Sequence, residues 1–129
     1  MNVLHEVADR AAADSPLWEQ ALLPDARSGA ARFAGSCPER YLLGVEMIYE
    51  GYLLHYSRSR LFTQADAGLA LLTGDYLYAA GLREICATGD LDAVGALASL
   101  ISRCARNQAD GAGAADPALW DETVASLAG

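Results

Sequence analysis

The side chains that could do chemistry are few. His55 is the one histidine inside the long central helical pattern, in the run Leu53-Leu54-His55-Tyr56-Ser57-Arg58-Ser59-Arg60. A base could stand there, although a lone imidazole in an apolar run more commonly makes a core or interface hydrogen bond. Arg58 and Arg60 read as lying on different faces of one helix. They could bind a phosphate, meet an acidic partner, or complement the dipole at the helix end. The cysteines Cys37, Cys86 and Cys104 are odd in number and contain no C-x-x-C pair. With His5 and His55 far from them in sequence, no zinc spacing arises, and free thiols in a reducing compartment are expected. Cys86 and Cys104 fall on neighbouring predicted helices and could approach each other. No serine stands in G-x-S-x-G, and a G-x-x-x-x-G-K-[ST] phosphate loop is impossible because the chain has no lysine. These residues imply neither a metal nor a cofactor.

Charge and composition narrow the partners. Nine basic residues, all arginine, face 17 acidic ones, for a formal net charge of −8. Phosphate polymers and anionic lipid need a basic face, so nucleic acid is excluded as the main partner. No run reaches the roughly 18 apolar residues of a membrane span. The stretch from Met1 to Arg10 lacks the apolar core of a secretory signal, so a cytoplasmic protein is expected. A chain of 129 residues, 53% hydrophobic, suits one domain over 1–129 with its own core.

The elements that must position these residues read as helices. Alanine and leucine dominate, while isoleucine and valine together supply eight residues. An all-α helical bundle follows. Asn2 caps a first helix to about Ala13, and Ser15-Pro16 opens a short second one. A poorly patterned third helix is expected from Asp25 to Ala34, stopped by Gly35. Ser36-Cys37-Pro38-Glu39 has the form of a capping box and starts a long helix to about Phe62. Thr63-Gln64-Ala65-Asp66 caps the next, to about Ala87. Gly89-Asp90 closes it and opens another to about Gln108. Gly111 and Gly113 mark a small linker, the stretch from Ala109 to Ala115 being a hinge at most, and Asp116-Pro117 opens a last helix to Leu127. On the helix from 38, Tyr41, Val45, Ile48, Tyr52 and Tyr56 share a stripe, with Glu39, Glu46, Glu50 and Ser57 on a narrow polar one. The helix from 64 carries Leu69, Leu72 and Tyr76 on one face and Leu71, Tyr78, Leu82 and Ile85 on another. Helices apolar on most sides are surrounded by protein, so these two either pack inside or keep surface for a partner or an apolar ligand.

Several stretches carry a family resemblance. They are Ser36-Cys37-Pro38-Glu39-Arg40 with Val45-Glu46-Met47-Ile48-Tyr49-Glu50, then Leu53-Leu54-His55, then Leu69 to Ala79 with Gly74-Asp75-Tyr76 at its centre. Together with the helix from Asp90 to Ala105 and the stretch Leu119 to Leu127, they resemble the N-terminal half of trans-isoprenyl (polyprenyl) diphosphate synthases over about residues 16–127. The resemblance implies half of the isoprenoid synthase fold. It places the family's first aspartate-rich, magnesium-binding motif on Tyr56, Ser57, Arg58, Ser59 and Arg60. No carboxylate remains there, and a hard cation needs oxygen ligands. The early diphosphate-gripping motif corresponds to Glu19-Gln20-Ala21-Leu22-Leu23, without a cation, and the lysine-threonine pair corresponds to Thr123-Val124. The second aspartate-rich motif belongs to a C-terminal half that this sequence does not contain.

The resemblance therefore implies a chain that does not catalyse alone. It is similar to the small, non-catalytic subunit of two-component prenyl diphosphate synthases, which helps shape the tunnel for the growing chain. Tyr49, Gly51, Tyr52, Leu53 and Tyr56 are then the side chains expected near an isoprenoid tail or at an interface. The expected partners are a second copy when the chain is alone and a catalytic synthase subunit in the cell. The alternative is a structural scaffold subunit of a larger, quinone-linked complex that uses the same apolar faces against protein only.

Overall fold

The computed structural model describes residues 2–26 and 29–128 and is an all-α bundle of six helices. The first helix, α1 (Val3–Asp14), opens where the Asn2 side chain accepts the amides of Leu4 and His5. Next, α2 (Pro16–Ala21) is capped by Ser15, which accepts from Leu17. The central pair is α3 (Glu39–Tyr56) and α4 (Ala67–Cys86), the latter capped by Asp66 at the Leu69 amide. Then come α5 (Leu91–Ala109), capped by Asp90 at Ala93, and α6 (Asp116–Ser126). No strand occurs among the described residues, and one isolated β-bridge joins Leu22 to Phe62. Among them, no helix is long and apolar enough to cross a membrane.

Several sequence-based expectations are corrected. The helix expected from Asp25 to Ala34 does not form over its described residues; Arg27 and Ser28 lie outside the described residues. The amides of Arg32 and Phe33 bond the Glu46 carboxylate instead of carbonyls four residues back. Ser36 does not cap α3, because its own amide turns back to the Phe33 carbonyl at 2.9 Å and Pro38 precedes the helix without a side-chain cap. That helix ends at Tyr56 rather than Phe62, because the amides of Arg60, Leu61 and Phe62 are taken by Glu50 and Ser59 side chains. Arg58 and Arg60 therefore lie on no helix face. The Gly111–Gly113 linker tightens into a 3-10 turn over Gly113–Ala115.

Glycines set how closely α3 and α4 meet. A Cβ on Gly44 would stand 2.9 Å from the Gly81 carbonyl, and one on Gly81 would stand 2.8 Å from the Gly44 carbonyl. The pair Gly51 and Gly74 repeats this at 2.9 and 3.2 Å. The two pairs run in opposite directions along the chain, so the helices are antiparallel, and backbone touches backbone where other residues would wedge them apart.

This pair forms the middle layer. On one side α1 and the segment after α3 bring Leu4, Val7, Leu61 and Phe62 against Met47, Leu54 and Leu77. On the other, α5 and α6 bring Leu97, Leu100, Trp120 and Val124 against Val45, Ile48 and Ile85. Covered on both sides and by α4, α3 is surrounded along most of its length, so that even Glu46 and Glu50 of its narrow polar stripe are buried.

Candidate functional site

The end of α3 and the segment that follows it gather the chain's charged chemistry. Glu46 and Glu50 stand one turn apart on α3 and are both fully buried. Glu46 Oε1 accepts Arg60 Nη1 at 2.6 Å and the Arg32 amide at 3.1 Å, and its Oε2 accepts the Phe33 amide at 2.7 Å. Glu50 Oε1 accepts Arg60 Nε at 2.9 Å. Its Oε2 accepts the Ser59 hydroxyl, the Arg60 amide at 3.1 Å and the Leu61 amide at 3.2 Å. Burial pulls the Arg60 pKa down, but Glu50 and Glu46 outweigh it and hold it above the ordinary arginine value. The guanidinium also lies over the Tyr49 ring, 5.1 Å from its centroid.

The cluster is closed. Each carboxylate oxygen already accepts from a fixed donor, and buried charges persist only where paired and hydrogen-bonded in this way. Among the described residues, no group of three or more His, Cys, Asp or Glu is placed to hold a metal ion. Of the five positions matched to the aspartate motif, Ser59 and Arg60 turn inward to Glu50, whereas Tyr56, Ser57 and Arg58 are exposed.

A second polar cluster ties α3 to α5 and α6. The Tyr52 hydroxyl donates to Asp116 Oδ2 at 2.7 Å, and the Asn107 and Gln108 amides donate to the same carboxylate at 2.9 Å each. Asp116 is fully buried. Burial alone would raise its pKa, but the donors Asn107, Gln108, Tyr52 and Cys104 outweigh burial and lower it. Burial first, then the Asp116 charge, pushes the Cys104 thiol up to about 12. Tyr52 rises too, through burial and then its bond to Asp116. Near this cluster the buried Tyr78 hydroxyl has no hydrogen-bond partner among the described residues.

The residues expected near a tail are brought together only in part. Tyr49 meets Phe33 and Trp120 at ring-centroid distances of 5.1 and 5.0 Å. Tyr52 lies 5.7 Å from Trp120 and 5.4 Å from Tyr56, which carries the row to the surface at 38% exposure. Gly51 instead faces Gly74 and Tyr78, and Leu53 is buried. Phe33 and Trp120 occupy the space beside Tyr49 and Tyr52.

The run Gly74-Asp75-Tyr76 points three ways. Gly74 lies against Gly51 and His55, Asp75 meets His55 Nε2 at 3.0 Å, and Tyr76 hydrogen-bonds Asp14 and stacks on Trp18 at 4.8 Å. His55 itself stacks on Tyr78 at 5.1 Å, an interface role rather than an isolated one. Cys86 is exposed and Cys104 buried, and both are free thiols. Clefts of about 410 Å³ lie away from all these residues, one beside His5 and Asp9, another between Arg40, Asp92 and Leu127.

Glu46, Glu50 and Asp116 were the residues that sequence reasoning undervalued. The signal was present for the first two: two glutamates one turn apart in an otherwise apolar helix, with an arginine ten residues beyond the second. Compared with family models, with curated proteins and with solved structures, the chain finds no match in any of the three.

Proposed function

We propose that this chain is a non-catalytic helical subunit that acts by binding a catalytic polyprenyl diphosphate synthase in the cytoplasm and influencing its product length. The partner's identity rests on the sequence resemblance. The observation that carries the non-catalytic part is the closed Glu46–Arg60–Glu50 cluster. Phosphoryl and diphosphate chemistry relies on metal ions and cations aimed at developing negative charge. At the matched positions this chain spends its one inward cation on its own buried carboxylates.

A second reading, a scaffold subunit of a larger quinone-linked complex, is favoured by one observation. The space beside Tyr49 and Tyr52 is filled by Phe33 and Trp120 rather than open to a tail. Affinity purification of the tagged chain from native extract, read by mass spectrometry, separates the two. Recovery of a full-length synthase with both aspartate motifs, followed by longer or faster prenyl transfer when the chains are mixed, supports the first. Recovery of respiratory subunits, or of the bait alone, overturns it.

A further inference from the structure

An open groove runs between α5 and α6. The two helices are antiparallel, since Asn107 and Gln108 bond Asp116 at one end while Ala96 and Ser126 share a cleft at the other. A cleft of about 210 Å³ separates Ser99 and Arg103 on α5 from Glu122 and Thr123 on α6. Arg103 and Glu122 line it from opposite walls with opposite charges. No ion pair joins them, and neither side chain hydrogen-bonds any described residue. Ala96 and Ser126 also line the neighbouring cleft of about 410 Å³, so the two are continuous. At the far end Asp90 is committed to the Tyr41 hydroxyl and the Ala93 amide, and Arg40 to the Tyr41 ring and hydroxyl. Asp92 is left there, exposed and without a side-chain partner among the described residues.

We propose that this groove binds a free basic α-amino acid such as L-arginine. Two opposite charges that face one cleft without pairing suit a ligand that carries both signs a few bonds apart. An α-amino acid does so: its carboxylate takes Arg103 and its ammonium takes Glu122, with the Ser99 and Thr123 hydroxyls beside them. A peptide end carries one of those two groups and a peptide interior carries neither, so the pair of charges selects the free amino acid. Arg103, Ser99, Ala96 and Asp92 recur every three or four residues and share one face of α5. From Ser99 to Asp92 that face spans about 10 Å. The ligand side chain therefore runs over the apolar Ala96 to Asp92, a path that calls for a long aliphatic stem with a cation at its tip. An apolar floor with a few convergent polar groups is the usual make-up of a small-molecule site. The inference does not depend on the catalytic partner proposed above and is tested on the purified chain alone.

The test is a titration of the isotopically labelled chain with L-arginine, read by the shifts of its backbone amides in NMR spectra. Saturable shifts are expected at Ala96, Ser99 and Thr123 with a Kd of about 1 mM, the affinity that a ligand of about a dozen non-hydrogen atoms supports. Arg103→Gln and Glu122→Gln should each weaken binding about tenfold. Asp92→Asn should weaken L-arginine by a similar factor and leave L-norvaline, which has no side-chain charge, unchanged. All three side chains are exposed, so the variants should keep the amide spectrum of the folded chain. L-Arginine amide keeps both cations and lacks the carboxylate. If it binds as tightly as L-arginine, general attraction to a chain of net charge −8 is the whole effect and the proposal is overturned. It is overturned equally if Nα-acetyl-L-arginine or L-norvaline matches L-arginine on the unaltered chain, or if L-arginine gives no saturable shift by about 10 mM.

Discussion

Arg60 reaches two buried carboxylates at once, Nε to Glu50 and Nη1 to Glu46, so its loss leaves both without a cation. Breaking a buried pair by removing one partner costs about 3–5 kcal/mol. Arg60→Ala is therefore expected to lower the urea midpoint by that amount of stability, and Arg60→Lys to recover only part of it, because one ammonium cannot span two carboxylates in the fixed fork of a guanidinium. The two buried tyrosine hydroxyls predict opposite signs. Tyr52→Phe removes a donor from buried Asp116 and should cost about 1–3 kcal/mol. Tyr78→Phe removes a hydroxyl without a partner and should be neutral or stabilising. Asp116 also sets a pH dependence. Its folded pKa is lowered from 3.8, so its contribution is full above that value and is lost as pH falls through the folded one. Stability measured from pH 5 downward should fall in that window, and Asp116→Asn should flatten the fall.

At the scale of elements, the α3–α4 contact is set by what its glycines lack. A Cβ on Gly81 would stand 2.6 Å from Ile48 Cγ1, and one on Gly44 would stand 2.7 Å from Ile85 Cδ1. Overpacking of this kind costs about 1–3 kcal/mol, so Gly44→Ala and Gly81→Ala should each lower the melting temperature clearly. Gly95 is also helical, on α5, and a Cβ there meets nothing within 4 Å. Gly95→Ala should instead stabilise, by about 0.5–1 kcal/mol, since alanine restricts the unfolded chain. Thermal unfolding of the three variants together decides whether close approach, rather than helix propensity, governs this pair. Helix starts at Asn2, Ser15 and Asp90 were legible in sequence because a capping side chain acts on amides two or three residues away, whereas α4 starts at Ala67 behind Asp66, three residues later than the position 64 expected. The end of α3 was not legible. It is decided by Glu50 taking the amides ten and eleven residues on, a contact with no local signature, with Ser59 accepting the Phe62 amide three residues on. For the same reason Arg32 and Phe33 fail to continue a helix: Glu46 takes their amides from thirteen and fourteen residues away.

At the scale of the whole molecule, three layers explain what periodicity left open. The sequence allowed α3 and α4 either to bury their apolar surface or to leave part of it uncovered, and the two helices differ in this. The first is covered along most of its length, while the second keeps a stripe from Leu72 to Cys86 bare. The layers also place the inward charges at the end of α3, which bears directly on ligand binding. A ligand present at 100 times its dissociation constant stabilises the folded state by about 2.7 kcal/mol, enough to raise the melting temperature of a domain this size by roughly 10 °C. A diphosphate held through magnesium would need carboxylate oxygens that here already accept from Arg60, Ser59 and backbone amides. Inorganic pyrophosphate with magnesium, each at about a hundred times a micromolar dissociation constant, should therefore shift the melting temperature by less than about 1 °C. The Arg60→Ala variant is the internal control: it removes the cation from both carboxylates and empties Glu50 Oε1, so any magnesium-dependent stabilisation that appears only there is located at Glu46 and Glu50. A shift of several degrees in the unaltered chain would mean that it grips a diphosphate by groups outside this cluster, and the non-catalytic reading would fall.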